Sequence, residues 1–525
     1  MTNRVKSHPD SHRFGSIASP HHLATRAGED AFRAGGNAID AALAAAAVLN
    51  VVYPNNTALG GDLVALVRTP DGAIHCVNAT GPAPAAQSVE RLRALYGAEL
   101  PLRGTDTITV PGGVRGWDSL RSFGARLDSA AHLTAAIHFA SNGVPVSRSL
   151  GAAIAGKRDV LMLDEGCRDV FLPGGTALKE GDLLVQPALG RSLSELQTAG
   201  SAALYGGPLG QRLIAGLAKA GGVMTLDDLA GFTPEIVEPI TGTFRGYDVI
   251  TSPPNTQGFV LLRTLQRIQQ LGDPDDILGK RAGALASIFE QSNGIRNLML
   301  ADPNFAGASA EHLINYDLNP ADYPSGPVRA GGDTVGISAI DSDGYAVSLI
   351  QSVFNAFGSA ILEPTTGILM QNRGTSFSLD PDSPNAVEPR KRPRHTLMPV
   401  LVTRGNSVSW VSSTMGGQGQ PQIHAQLLLR CMAGAAPAEA INAPRWIVGV
   451  QEAGDTNATI YLESDAPSET VQSLTGDGFT LKTVPPHDEW LGHANLIEVD
   501  SDGRFHAASD PRSDGSAAEV ELTLS

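Results

Sequence analysis

A threonine hydroxyl does not ionise at neutral pH, and it attacks a carbonyl only with a base beside it. Thr334 stands where that base could be its own α-amine. It opens the run TVGISAI, which is followed by DSDG and then YAVSLIQSV: a strand, a glycine-containing turn and a second strand. Before it, YPSGPVRAGGD is rich in Pro and Gly, shows no periodicity and reads as an exposed loop. Cutting the Asp333–Thr334 bond would free an amine whose ordinary pKa of about 7.7–8.0 suits it to accept a proton near pH 7. The strand would meanwhile hold the hydroxyl in place. Many strands begin with Thr after Gly-Asp, so the local pattern alone leaves an ordinary strand start open.

The elements that must position this residue divide the chain in two. From Leu23, Ala27 and Ala31 onward the first part reads mainly as helices, stopped at Gly35–Gly36. Asn37 is placed to cap an alanine-rich helix running to about Val52, ahead of Pro54. Residues 119–160, 187–230 and 261–299 continue in helical style. After the loop the texture turns to strands: 334–340, 345–353, then 396–403 and 408–413, and a closing hairpin in LIEVDSDGRFHAAS.

Composition bounds the partners. The 525 residues are 42% hydrophobic and 18% charged, with 58 Gly and 34 Pro, which suits an α/β protein with many tight loops. A net charge of −16 argues against a nucleic-acid backbone as partner. The one dense basic run, Arg390, Lys391, Arg392 and Arg394, reads equally well as a solvated loop or a functional one. Cys76, Cys167 and Cys431 form neither a metal pattern nor a disulfide framework and are expected to be core thiols. The polar N-terminus leads into no apolar signal core, and Ala41–Tyr53 is too short to span a bilayer. The expectation is a cytoplasmic enzyme with a small-molecule substrate and no membrane partner.

Ordered along the chain are ASPHHLATRAGEDAFRAGGNAIDAALAAAAVLNVVYP, ALGGD, TVPGGVRGW, GDLLVQPALGRSL and GGVMTLDDLAGF. They continue with EPITGTFRGYDVITSPPNTQG, DTVGISAIDSDGYAVS, FGSAILEPTTGILMQN, KRPRHTLMPVLV, STMGGQGQPQ and AASDPRSDGSA. This series resembles the γ-glutamyltranspeptidase family of N-terminal nucleophile hydrolases. The resemblance implies an α/β (α+β) fold, a four-layer αββα sandwich. Residues 1–333 would form a large subunit and 334–525 a small one, intertwined as a heterodimer after self-cleavage, with a dimer of heterodimers left open. It implies no metal and no organic cofactor. Thr334 aligns with the nucleophile and Ser352 with a second hydroxyl that hydrogen-bonds the nucleophile's amine. Gly416 and Gly417 align with the paired glycines whose N–H groups form an oxyanion hole, where close backbone approach favours glycine.

The departures concern the substrate. Where glutathione-cleaving members hold the glutamyl carboxylate with Arg and an adjacent acid, this chain has Thr80 and Gly81. Where paired aspartates hold the ammonium, it has Thr375 and Ser376; Phe354 replaces an Asn, and His395–Thr396 replaces a Ser-Ser pair. The pocket therefore lacks both halves of a zwitterion site. Arg373, beside Asn372, is new in this loop and could clamp a small carboxylate bidentately; the alternative pairs it with a surface acid such as Asp380. With the QNRG and GGQGQPQ strings, the chain looks most like the oxamate amidohydrolases and their relatives. Hydrolysis of an oxamate-like amide is the expected activity. The alternatives are a γ-glutamyl hydrolase or transferase, an acylase of cephalosporin-type side chains, and an unprocessed, non-catalytic family member.

Overall fold

In the computed structural model, residues 13–319, 323, 332–452 and 454–522 are described. The polar N-terminal stretch and most of the YPSGPVRAGGD loop lie outside them. The helices read from the sequence begin where their caps place them. Asn37 and Asp40 form a reciprocal capping box at the start of Ala38–Val52, and every residue of that helix is buried. Its many alanines allow close approach, and it packs against the strand Asp333–Asp341 and on His22–Arg33 and Ser129–Asn142.

Two antiparallel sheets carry the fold. The first runs Ser516–Leu522, Arg13–Ser19, Asp333–Asp341, Ala346–Phe354, Asp62–Arg68, Ile74–Ala79, Glu235–Val237. The second runs Phe505–Ser509, Ala494–Val499, Ser407–Thr414, Val400–Arg404, Tyr247–Thr251, Ile240–Phe244. Their inner faces meet through Val64, Leu66, Ile340, Ile350, Leu401, Val411 and Ile497. The alanine-rich helix and its neighbours cover the outer face of the first sheet. Helices Gly258–Gln270, Ala282–Met299 and Gln420–Met432 cover the second. This is the expected four-layer αββα sandwich.

The strand content of the first part exceeds the sequence reading. Both sheets draw strands from before and after residue 333, and the two ends of the chain pair along Arg13–Ser19 and Ser516–Leu522. The strand opened by Asp333 is therefore central, flanked on both sides by hydrogen-bonded neighbours. Along its partner the pairing register slips between Gln351 and Phe354. Such a bulge re-aims a side chain, and Ser352 lies inside it. On the far side Ser352 is in register with Asp62. One end of the sheet thus gathers Asp62, Thr334, Ser352 and Phe354.

Candidate active site

Thr334 is fully buried, with the chain continuous through the Asp333–Thr334 bond. Its hydroxyl donates to Ser352 Oγ at 3.1 Å, and Ser352 donates in turn to the Asp333 carbonyl oxygen at 2.7 Å. The Phe354 N–H donates to Ser352 Oγ at 2.8 Å and fixes its position. Asn56 Nδ2 holds the Thr334 carbonyl at 3.2 Å. A hydroxyl, a second hydroxyl and the carbonyl of the preceding peptide are thus joined in one short chain. The Asp333 carboxyl is pushed up to about 6, first by burial and then by the charge of Glu489.

Gly416 and Gly417 take φ values of 146° and 50°, in the region that favours glycine. Among the described residues no hydrogen bond uses the N–H of either. Their loop is braced from below. Gln257 Nε2 donates to the carbonyls of Gly417 and Thr396, both at 2.7 Å, and Arg296 holds Gln257 Oε1 and Gln418. Gly332 lies directly on this loop: a β-carbon built on it would fall 1.9 Å from Gly417 Cα. The Gly332–Asp333 segment therefore occupies the space against Gly417. Gly332→Ala is expected to displace that segment and suppress cleavage at residue 333, read as persistence of the full-length band on a denaturing gel.

Arg373 is fully buried, so its pairing with a surface acid such as Asp380 is excluded. Its nearest carboxylate is Asp62, 4.0 Å from Nε, too far for a hydrogen bond. Nη1 donates to Thr396 Oγ1 at 3.1 Å, the guanidinium stacks 4.0 Å over the Phe354 ring, and Nε and Nη2 have no hydrogen-bond partner. Burial lowers its pKa to about 9, opposed by Asp62. Asp62 Oδ1 accepts from Gly81 N and Gln371 Nε2, while Oδ2 meets His395 Nε2 at 2.9 Å. The other ring nitrogen of His395 accepts from Leu397 N, so Nε2 carries the proton and the ring is neutral. Burial, then the charges of Arg373 and Arg392, hold His395 well below its usual range. Burial also raises Asp62 to about 7 against the pull of Arg373.

Beside this cluster opens a cavity of about 250 Å³, bordered by Phe354, Thr375, Ser376, His395, Thr396 and Gln418. Asn372 and Thr80 are turned elsewhere. Asn372 spends its amide on Leu102 O, Asn355 Oδ1 and Asn355 N, bracing its own loop. Thr80 bonds Asn78 and Asn255 and lines a separate hollow. Gly81 has no room for a side chain, since an added β-carbon would fall 1.5 Å from Val110 O. The basic run is not a solvated loop: Lys391 and Arg392 are buried, and Arg392 pairs with Asp302 and Glu235. Asp62, Gln257 and Arg296 escaped the sequence reading. The one available signal was an Asp after Gly-Gly, immediately ahead of the apolar run LVALV.

Two helix-clad sheets enclosing this end of the central strand define an N-terminal nucleophile-type hydrolase, acting on carbon–nitrogen amide bonds. The chain belongs to the gamma-glutamyltranspeptidase family, whose model matches residues 24–520. It is 37% identical to the glutathione hydrolase-like YwrD proenzyme of Bacillus subtilis, over 96% of this chain and 98% of that one. It is 35% identical to the oxamate amidohydrolase proenzyme of Klebsiella pneumoniae, with the same coverage. The crystal structure of cephalosporin acylase from Bacillus halodurans superposes with a TM-score of 0.86 at 32% identity, over 99% of each chain. Among the described residues no helix is long and apolar enough to cross a membrane.

Proposed function

We propose that this protein cuts itself between Asp333 and Thr334, then uses the freed Thr334 to hydrolyse a small amide bearing a carboxylate beside the scissile carbonyl, as in oxamate. The observation that carries the substrate class is Arg373: a buried cation with two nitrogen donors, Nε and Nη2, unspent, in a chain that has Thr80, Gly81, Thr375 and Ser376 at the positions compared above. The 35% identical oxamate amidohydrolase proenzyme supports the same reading. Measured side by side, turnover of oxamate should exceed that of a chromogenic γ-glutamyl anilide. The reverse order would favour a γ-glutamyl enzyme, as the name of the 37% identical relative suggests.

In the uncut chain the Thr334 oxygen bonds to the Asp333 carbonyl carbon. Its proton passes to Ser352 Oγ, while Ser352 gives its own proton to the carbonyl oxygen, along the 3.1 Å and 2.7 Å contacts. On collapse the former carbonyl oxygen gives up its proton to the nitrogen and re-forms the C=O bond. The C–N bond breaks, and the nitrogen leaves as the Thr334 amine, giving an ester that water hydrolyses. Removing a preorganised donor of this kind typically costs about 100–1000-fold. Ser352→Ala should slow cleavage on that scale, while Ser352→Thr, which keeps the hydroxyl, should preserve it; the time course of band conversion measures both. In the mature enzyme the Thr334 amine takes the hydroxyl proton during attack on the substrate. Gly416 and Gly417 N–H groups hold the oxyanion, the substrate amine departs, and water releases the acid.

Substrate binding should depend on pH through Asp62, whose carboxyl faces Arg373 and His395. Below about 7 Asp62 is protonated and no longer competes for the Arg373 charge. KM for oxamate is therefore expected to fall as pH drops through 7 and rise above it, and Asp62→Asn should flatten that dependence. The requirement for a neutral Thr334 amine acts on kcat instead, raising it with pH.

A further inference from the structure

Two arginines face the cavity from its far wall, and neither is used by the chemistry above. Arg296 comes from the helix Ala282–Met299 and Arg394 from the segment before His395. Arg296 spends its N–H groups on neutral acceptors: Gln257, Gln418 and Asn297. Among the described residues Arg394 gives only Nη1, to Asn297 O at 2.8 Å, and part of its side chain is open. Among the described residues no carboxylate pairs with either guanidinium. The one acid on the wall among the described residues, Glu99, is exposed at the surface. In a chain of net charge −16, two cations facing one cavity with no counter-ion among the described residues suit an anionic ligand. Burial and the neighbouring charge of Arg394 lower Arg296 to about 9, and burial lowers Arg394 to about 10, the cost that a bound anion would relieve.

We propose that this cavity is a second anion subsite with Arg394 as its principal donor, and that the substrate is a dianionic amide. One carboxylate would meet Arg373, and a second, beyond the scissile bond, would meet Arg394. The assignment of two ends rests on the Arg373 reading above. The cavity is bordered by Phe354 and Thr396, which contact Arg373, and by Gln418, which follows the oxyanion glycines, so it adjoins the residues around Thr334 and Arg373. Its volume of about 250 Å³ also exceeds what an amide as small as oxamate needs.

The test is binding rather than turnover. The purified cleaved protein, with Arg394→Gln, Arg394→Lys and Arg373→Ala variants, is titrated calorimetrically with α,ω-dicarboxylates from malonate to adipate and with the matching monocarboxylates. Wild type should bind one dicarboxylate at least about 10-fold tighter than its monocarboxylate counterpart, a difference of about 1.4 kcal/mol. Arg394→Gln should abolish that preference, and Arg394→Lys should retain part of it. Should Arg394→Gln prove unstable, loss of preference in Arg394→Lys relative to wild type serves as the readout. No preference in wild type, or one untouched by either Arg394 variant, overturns the subsite. Loss in the Arg394 variants but not in Arg373→Ala would uphold the subsite and refute the Arg373 reading. The opposite pattern would refute the subsite alone.

Discussion

Thr334→Ala is expected to yield one uncut chain of 54.6 kDa and no amidase activity, whereas the parent should give two fragments, residues 1–333 and 334–525. The substitution removes the attacking oxygen in both reactions, and loss of a covalent nucleophile costs on the order of 10⁶-fold in kcat. The fold should survive it. The strand beyond Thr334 stays paired on both sides by backbone hydrogen bonds, and among the described residues the side chain loses only its hydroxyl contact to Ser352. Thermal melting should therefore stay close to that of the uncut parent. Thr334→Ser, which keeps the oxygen, is expected to cleave more slowly rather than not at all.

Arg373→Ala is expected to lower kcat/KM for oxamate by about 30- to 1000-fold, corresponding to about 2–4 kcal/mol for removing one partner of a buried charged contact. The loss should fall mainly on KM, and an uncharged analogue such as oxamide should be affected far less. Asp62 would be left without its cation, but its carboxyl already sits near 7 and can take a proton instead of destabilising the core. Arg373→Lys should restore only part of the affinity. The planar guanidinium lies over Phe354 at 4.0 Å while reaching Thr396, and an ammonium cannot do both.

How far the sequence foretold this arrangement depended on whether the signal was local. The Asn37 cap, the Gly35–Gly36 stop and the strand–turn–strand after residue 333 rest on short-range rules, and the structure shows each of them. The strands Asp62–Arg68 and Ile74–Ala79 were missed because the first is buried on both faces and shows no alternation. Arg13–Ser19 was hidden in the same way, since its partners lie more than 300 residues away and leave no nearby turn to announce them. Arg373 was legible as an unusual residue in its loop. Its partner Asp62 was not, because only the pairing of Asp62 with Ser352 brings the two together. The basic run failed for a related reason: Asp302 and Glu235, which bury Arg392, are far from it in sequence.

The most direct test of the account is the intact mass of the purified protein, with the N-terminal residues of its smaller fragment read by sequencing. The account predicts two chains, the smaller beginning Thr334-Val335-Gly336 with a free amine. A single full-length mass in an enzyme that turns over amides, or a small fragment beginning at any other residue, would contradict it.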